Sequence, residues 1–296
     1  MLFRKTALIG VGLLGGSLGL ALQRRRLSET VVGYVRREAS LAACRECGVV
    51  TAVTMDVEEA VAGADFIVLC TPLAQMRSLT ERLLPQLQPG ALVTDVGSVK
   101  GMVTDSLTTT IARAGGCFIG SHPMAGSEQT GPKAAREDLF ENAVCVITPE
   151  RETPASRIPQ LTELWEAVGA RTLTLSADLH DNLVGRCSHL PHIVSAALAN
   201  YVLSPAHPPE QKELCATGFR DTTRVASGSP EMWRDIGLAN RRHLQRILGV
   251  FIEDLQEFQL ALERGDEAMI MDFFETAKQR RDHWHREFHR RNTTTE

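Results

Sequence analysis

The chain carries no excess of basic charge: 32 Lys and Arg stand against 36 Asp and Glu, a formal net charge of −4. That balance argues against a polyanion-binding surface, and nucleic acid is not an expected partner. Long hydrophobic runs are missing too. The uncharged stretch from Thr6 to Gln23, after Arg4 and Lys5, is too short to span a bilayer comfortably, and glycines at 10, 12, 15, 16 and 19 punctuate it. It is therefore read as neither a signal peptide nor a membrane anchor. Cys44 and Cys47 form a C-x-x-C with no second pair at zinc-binding spacing, which reads as two helix residues three apart. The seven cysteines are scattered and odd in number. They fit reduced thiols in a cytoplasm better than a disulfide framework. No metal site and no internal repeat is expected.

What is present is an ordinary globular composition, 43% hydrophobic and 23% charged over 296 residues, enough for a real core in one large or two smaller domains. Short apolar runs at Thr6–Gly10, Val31–Val35, Phe66–Cys70, Leu92–Asp95, Cys117–Gly120, Val144–Thr148 and Arg171–Leu175 read as strands. Helical stretches alternate with them, such as Gln75–Leu87, Lys100–Ala114 and Ile158–Val168. This alternation predicts an α/β fold, a Rossmann-type doubly wound parallel sheet covered on both faces, over residues 1–176. Past Ser176 the apolar residues recur at helical spacing and no strand signal convinces. Residues 177–290 are expected to form an all-α domain for substrate binding and dimerisation. Met232–Leu262 reads as one long helix whose broad apolar face predicts homodimerisation. From His283 the chain loses periodicity and is expected to fray, with a flexible tail at 291–296. Its histidines 283, 285 and 289 read as solvated surface.

Gly10-Val11-Gly12-Leu13-Leu14-Gly15 is a G-x-G-x-x-G that follows an apolar strand and opens a helix, the context that gives the pattern meaning. Gly10 permits the turn, Gly12 lets the backbone approach a pyrophosphate, and Gly15 lets the helix pack on the sheet. Leu13 and Leu14 open the helix whose N-terminal N–H groups hold the anion. At the end of the second strand an NAD enzyme usually carries an acid for the ribose hydroxyls. Here Tyr34-Val35 is followed by Arg36 and Arg37. Guanidinium groups grip a phosphate bidentately, so NADP is expected over NAD, with Arg36 the leading candidate. Thr71-Pro72 and Ser98 lie just past strand ends, where ligands of doubly wound sheets sit.

Further segments stand out in order: Asp95-Val96-Gly97-Ser98-Val99-Lys100, Gly120-Ser121-His122-Pro123-Met124-Ala125-Gly126, Ser188-His189-Leu190-Pro191-His192, and Gly218-Phe219-Arg220-Asp221-Thr222-Thr223-Arg224. Together with the glycine motif they resemble the prephenate/arogenate dehydrogenase family of tyrosine biosynthesis, from about Thr6 to Asp282. The resemblance implies oxidation of a cyclohexadienol by hydride transfer with loss of the ring carboxylate as CO2. His122 then suits the base that accepts the hydroxyl proton, because an ordinary imidazole is largely neutral at pH 7. Ser98 would orient His122 and touch the nicotinamide. Arg224, helped by His192, would hold a substrate carboxylate. His189 shares a helix face with His192, and Pro191 between them should distort that helix; His189 also reads as a core histidine. Trp233 would close over the site, from this chain or a partner subunit, with core packing as the rival reading. Arg220 and Asp221 read as a structural ion pair. Some relatives carry a regulatory domain or a fused chorismate mutase; no separate regulatory domain is expected here, because little sequence follows the helical part.

Two other readings compete. A 3-hydroxy acid dehydrogenase of similar layout would rely on a lysine in its helical domain, and only Lys212 and Lys278 follow Lys133. A non-catalytic NADPH sensor would not need His122, Ser98 and Arg224 together.

Overall fold

A computed structural model describes residues 1–127 and 129–293, with only the helical backbone over 288–293. In chain order the elements are β1 (Phe3–Ile9), α1 (Leu13–Arg24), β2 (Ser28–Tyr34), α2 (Glu38–Cys47), β3 (Ala52–Thr54), α3 (Val57–Val61), β4 (Phe66–Leu69), α4 (Leu73–Leu83), β5 (Leu92–Asp95) and α5 (Gly101–Arg113). Then come β6 (Cys117–Phe118), β7 (Gly120–Pro123), β8 (Val144–Thr148), α6 (Arg157–Ala167), β9 (Arg171–Thr174), α7 (Ala177–Val184) and α8 (Leu190–Val202). The chain closes with α9 (Glu210–Glu213), α10 (Thr217–Thr223), α11 (Pro230–Ala239), α12 (Arg241–Arg264) and α13 (Glu267–Thr293). It divides into two compact units, Met1–Arg241 and Arg242–Glu296.

The first unit is built on a six-stranded parallel sheet in the order β3-β2-β1-β4-β5-β6, the doubly wound arrangement that the alternating pattern predicts. Side chains alternate across it. Leu8, Phe66, Val68 and Leu92 join one apolar cluster with Leu18, Leu22 and Trp165. Ala7, Ile9, Ile67, Leu69 and Val93 join the other with Met76, Leu83 and Val103. Both faces are thus apolar, which is why these strands read as continuous hydrophobic runs.

Sequence pattern and structure part at several places. β3 and α3 carry no periodicity to read, being three and five residues long; α3 starts because the Asp56 carboxylate accepts the Glu58 N–H at 2.9 Å. The apolar run expected as one strand at Cys117–Gly120 is split. β6 ends the parallel sheet at Phe118, and Gly120 opens β7 in a second sheet, β7-β8-β9, where β7 runs antiparallel to β8. Any Cβ at Gly120 would lie 2.5 Å from Thr148 Oγ1, so this strand change needs glycine. Cys44 and Cys47 do sit on one helix, α2.

The long helix expected over Met232–Leu262 is two helices. Ser229 caps α11 by accepting the Met232 N–H at 3.3 Å, with Pro230 in the first turn. Asn240 ends α11, its side chain turned inward to donate to the Asp181 carbonyl at 2.9 Å. The stretch from His283, expected to fray, instead continues α13 to Thr293, where polar pairs such as His283 and Glu287, 3.4 Å apart at i and i+4, replace apolar periodicity. Residues 294–296 of the expected tail lie outside the described residues. Within the second unit, Phe258, Phe273 and Phe274 form an aromatic cluster with centroids 4.6 to 5.7 Å apart. Val250, Leu255, Leu262 and Met271 remain exposed there. No helix among the described residues is long and apolar enough to cross a membrane.

Candidate active site

The glycine motif folds as a turn between β1 and α1. Gly10 has φ +104°, a backbone state disfavoured for L side chains. A Cβ on Gly15 would lie 2.2 Å from the Gly10 carbonyl oxygen, while one on Gly12 would meet nothing within 4 Å. The backbone is therefore close-packed at Gly15 and open at Gly12, the arrangement a pyrophosphate needs. Leu13 and Leu14 begin α1 and pack against the core beneath. A cavity beside this turn is lined by Arg36, Arg37, Ser40, Thr71, Pro72 and Gln75 among others. Thr71 Oγ1 and Gln75 Oε1 are buried at its wall with no hydrogen-bond partner. Buried polar atoms are seldom left unpaired in a finished site. Together with the open glycine turn, they fit a dinucleotide. Arg36 and Arg37 are exposed at the rim, without a carboxylate partner among the described residues. Gln75 was not foreseen, because nothing in the sequence separates it from other polar residues of α4.

The second centre lies past the C-terminal ends of β4 and β5. His122 is inside β7 rather than after a strand end, opposite Val146 of β8. The strand is anchored through Ser121, whose hydroxyl donates to the Asp95 carbonyl at 2.6 Å and whose N–H reaches the Asp95 carboxylate at 3.2 Å. Lys100 is fully buried; its ammonium pairs with Asp95 and donates to the Ser121 carbonyl at 2.8 Å. This buried ion pair is satisfied on both sides, the condition under which such a pair is tolerated. Ser98 is half-buried in the same turn but makes no hydrogen bond to His122. The expected orienting contact is corrected: it is His180 that holds the ring, with Nε2 2.9 Å from His122 Nδ1. His180 Nδ1 lies 2.8 Å from Asp181 Oδ1. Both residues belong to α7, whose start is set by Ser176 accepting the Leu179 N–H. Asp181 also accepts the N–H groups of Lys100 at 2.7 Å and Gly101 at 2.8 Å, which caps α5.

The residues expected on the substrate side connect to this centre. The π-helical turn Gly185–His189 precedes α8, and Pro191 sits in the first turn of α8, so the expected distortion is present at this point. The His192 ring donates from Nδ1 to the Ser188 carbonyl at 2.9 Å and stacks on Trp233 of the same chain at 3.9 Å. His189 meets Trp233 edge-on at 6.0 Å and faces the Asn240 amide at 3.1 Å. Asn240 reaches the main-chain carbonyl of Asp181, so His122, His180, Asp181, Asn240, His189, Trp233 and His192 form one connected set of contacts. Arg224 starts the 3-10 turn Arg224–Ser227 after α10 and is exposed. Arg220 and Asp221 pair at 3.3 Å, both largely exposed, and such a pair is worth little. Among the described residues no group of three or more His, Cys, Asp or Glu is placed to hold a metal.

Two of these histidines are kept neutral by their surroundings. Burial, then the nearby His180, Lys100 and His189, holds the His122 imidazole well below the ordinary histidine range. Burial pushes His189 down to about 4, against the opposing pull of Asp181. The sign for stability follows. Below about 6.5 the unfolded chain gains protons that the folded one refuses, so stability falls as pH drops toward 4. For His189 alone the loss is on the order of 3 kcal/mol. Thermal melts between about pH 7 and pH 5 should show a declining Tm. His189→Gln should reduce that slope; an unchanged slope would acquit His189.

Two family models match the chain. The one described as prephenate dehydrogenase, nucleotide-binding domain, matches residues 18–174, and the one described as prephenate dehydrogenase, dimerization domain, matches residues 176–279. A cyclohexadienyl dehydrogenase of Zymomonas mobilis is 32% identical over 282 residues, spanning 94% of this chain and 95% of its own. The crystal structure of prephenate dehydrogenase from Aquifex aeolicus, in complex with hydroxyphenyl propionate and NAD+, matches with a TM-score of 0.88 at 29% identity, over 95% of this chain and 98% of that one. Synechocystis arogenate dehydrogenase matches with a TM-score of 0.81 at 31% identity, over 95% of this chain and all of that one.

Proposed function

The chain belongs to the prephenate dehydrogenase family, and on that premise we propose that it oxidatively decarboxylates prephenate or arogenate with NADP as hydride acceptor. The products are 4-hydroxyphenylpyruvate or tyrosine. The observation that carries this reading is His122: a buried, neutral imidazole held by one ring nitrogen, with no partner at Nε2 among the described residues. A neutral imidazole can take a proton; a charged one cannot.

The bound dinucleotide supplies a hydride acceptor at its nicotinamide carbon. The chain's residues do the rest. The glycine turn and α1 would hold the diphosphate, and Arg36 with Arg37 would take the 2′-phosphate. His122 Nε2 accepts the substrate hydroxyl's proton as the carbinol carbon loses hydride. The bond to the ring carboxylate breaks, CO2 leaves, its electron pair completes the aromatic ring, and the resulting phenolate oxygen takes the proton back from His122 Nε2. Arg224 with His192 holds a carboxylate, Trp233 shields the site beside His192, and Ser98 faces the nicotinamide. The exposed apolar side chains of α12 and α13 supply the face of a homodimer.

The 3-hydroxy acid alternative is not favoured, because Lys212 and Lys278 are both exposed, on α9 and α13. Side-by-side turnover of prephenate and arogenate with NADP and NAD tests the proposal. Absence of turnover with both substrates would refute it. Arg36→Asp should reduce the NADP preference by ~1–3 kcal/mol, the scale of charge-assisted hydrogen bonds. Unchanged NADP and NAD kinetics would remove the 36–37 pair as selector.

A further inference from the structure

We propose that His180 and Asp181 are positioning residues that lock His122 in the tautomer with its proton on Nδ1 and its lone pair on Nε2. The proposal rests on the reading of His122 as the base and adds what makes it one.

Backbone N–H groups can only donate, so the Asp181 oxygens facing Lys100 N and Gly101 N must accept. The start of α5 favours negative charge at that point. Asp181 is therefore an acceptor toward His180, and the proton between them, across 2.8 Å, belongs to His180 Nδ1. With its ring proton at Nδ1, His180 turns Nε2 to His122 as an acceptor. Only a donor suits it, so the proton in the 2.9 Å contact belongs to His122 Nδ1. His122 is left with a bare Nε2, the one atom able to receive a proton from a substrate. Each ring nitrogen's role is thus set by the other's hydrogen bond, starting at a carboxylate that the α5 backbone itself orients.

All three side chains are buried, so water does not compete for these bonds: His122 is 8% exposed, His180 0% and Asp181 4%. The charged and titratable groups facing the chain are accounted for. Lys100 is paired with Asp95 and donates to Ser121, and so has no hydrogen-bond role toward either histidine. His189 bonds Asn240. Cys145, on β8 behind His122, is kept a thiol chiefly by burial. When His122 takes the hydroxyl proton at Nε2, its Nδ1–H still donates to His180, and the imidazolium's charge is offset through His180 by Asp181. Atoms balance: one proton moves from substrate oxygen to His122, returns to the phenolate oxygen once CO2 has left, and none needs to leave Asp181.

The test is a nitrogen-15 histidine spectrum of the full chain at neutral pH, with His122 assigned by the signal lost in His122→Asn. The expected wild-type pattern is protonated Nδ1 and bare Nε2. A proton on Nε2 of His122 overturns the proposal, and this arm needs no other variant. The second arm is His180→Phe, which fills similar space but offers no acceptor. The expected result is a shift of His122 toward protonated Nε2, with kcat down roughly tenfold to a hundredfold and the dissociation constant for NADP, read by fluorescence, unchanged. His180→Gln, which offers a donor toward Asp181 and an acceptor toward His122, should recover part of the loss. An unshifted tautomer in His180→Phe, or unshifted kcat, overturns the proposal. A wild-type protein that turns over neither substrate refutes the functional reading instead, while the spectrum still decides the tautomer.

Discussion

Replacing His122 by Asn is expected to lower kcat by roughly 10²–10⁴-fold while leaving NADP binding intact, the size of effect that loss of a general base produces. The substitution keeps a polar group at Nδ1, because an Asn amide overlays that edge of imidazole, so the hydrogen bond toward His180 can persist. What disappears is the acceptor at Nε2. The glycine turn lies in other elements and is untouched, so cofactor affinity serves as an internal control. KM for the substrate should change little, since the lost interaction strengthens only as the hydroxyl becomes a carbonyl. Stopped-flow turnover beside a fluorescence titration with NADPH separates the two quantities. Turnover within a few-fold of wild type would take His122 out of the chemistry.

The second large effect is expected at Arg224. Arg224→Gln should raise the substrate KM on the order of 10²–10³-fold, because truncating one partner of a charge-assisted pair also strands the other charge. A planar guanidinium binds a carboxylate with two parallel hydrogen bonds, and a carboxamide offers at most one donor group without charge. NADP affinity should remain as in wild type. Equal loss of substrate and cofactor binding would point to a folding role for Arg224 at the end of α10, and would move the carboxylate site elsewhere.

How much of this could be read from residue order differs by element. β5 and β8 match their runs residue for residue, because both faces of these strands are buried. α11 and α12 merge in the pattern, since their apolar residues keep helical phase across Asn240; the break comes from a hydrogen bond to a residue 59 positions away. The distortion before α8 was legible from Pro191, a residue whose missing N–H acts locally. Ser98 neighbours His122 in the motif order, whereas the ring is held by a residue 58 positions later.

The amino-acid order alone determined the dinucleotide turn, the guanidinium pair beside it and the family, because each depends on residues adjacent in the chain acting through backbone geometry and local charge. Only the tertiary structure decided which side chain faces His122 and where the Asp95–Lys100 pair is buried. A hydrogen bond is directional and extends over about 3 Å. Its partners are chosen by the meeting of strands and helices in space, and no spacing along the chain encodes that meeting.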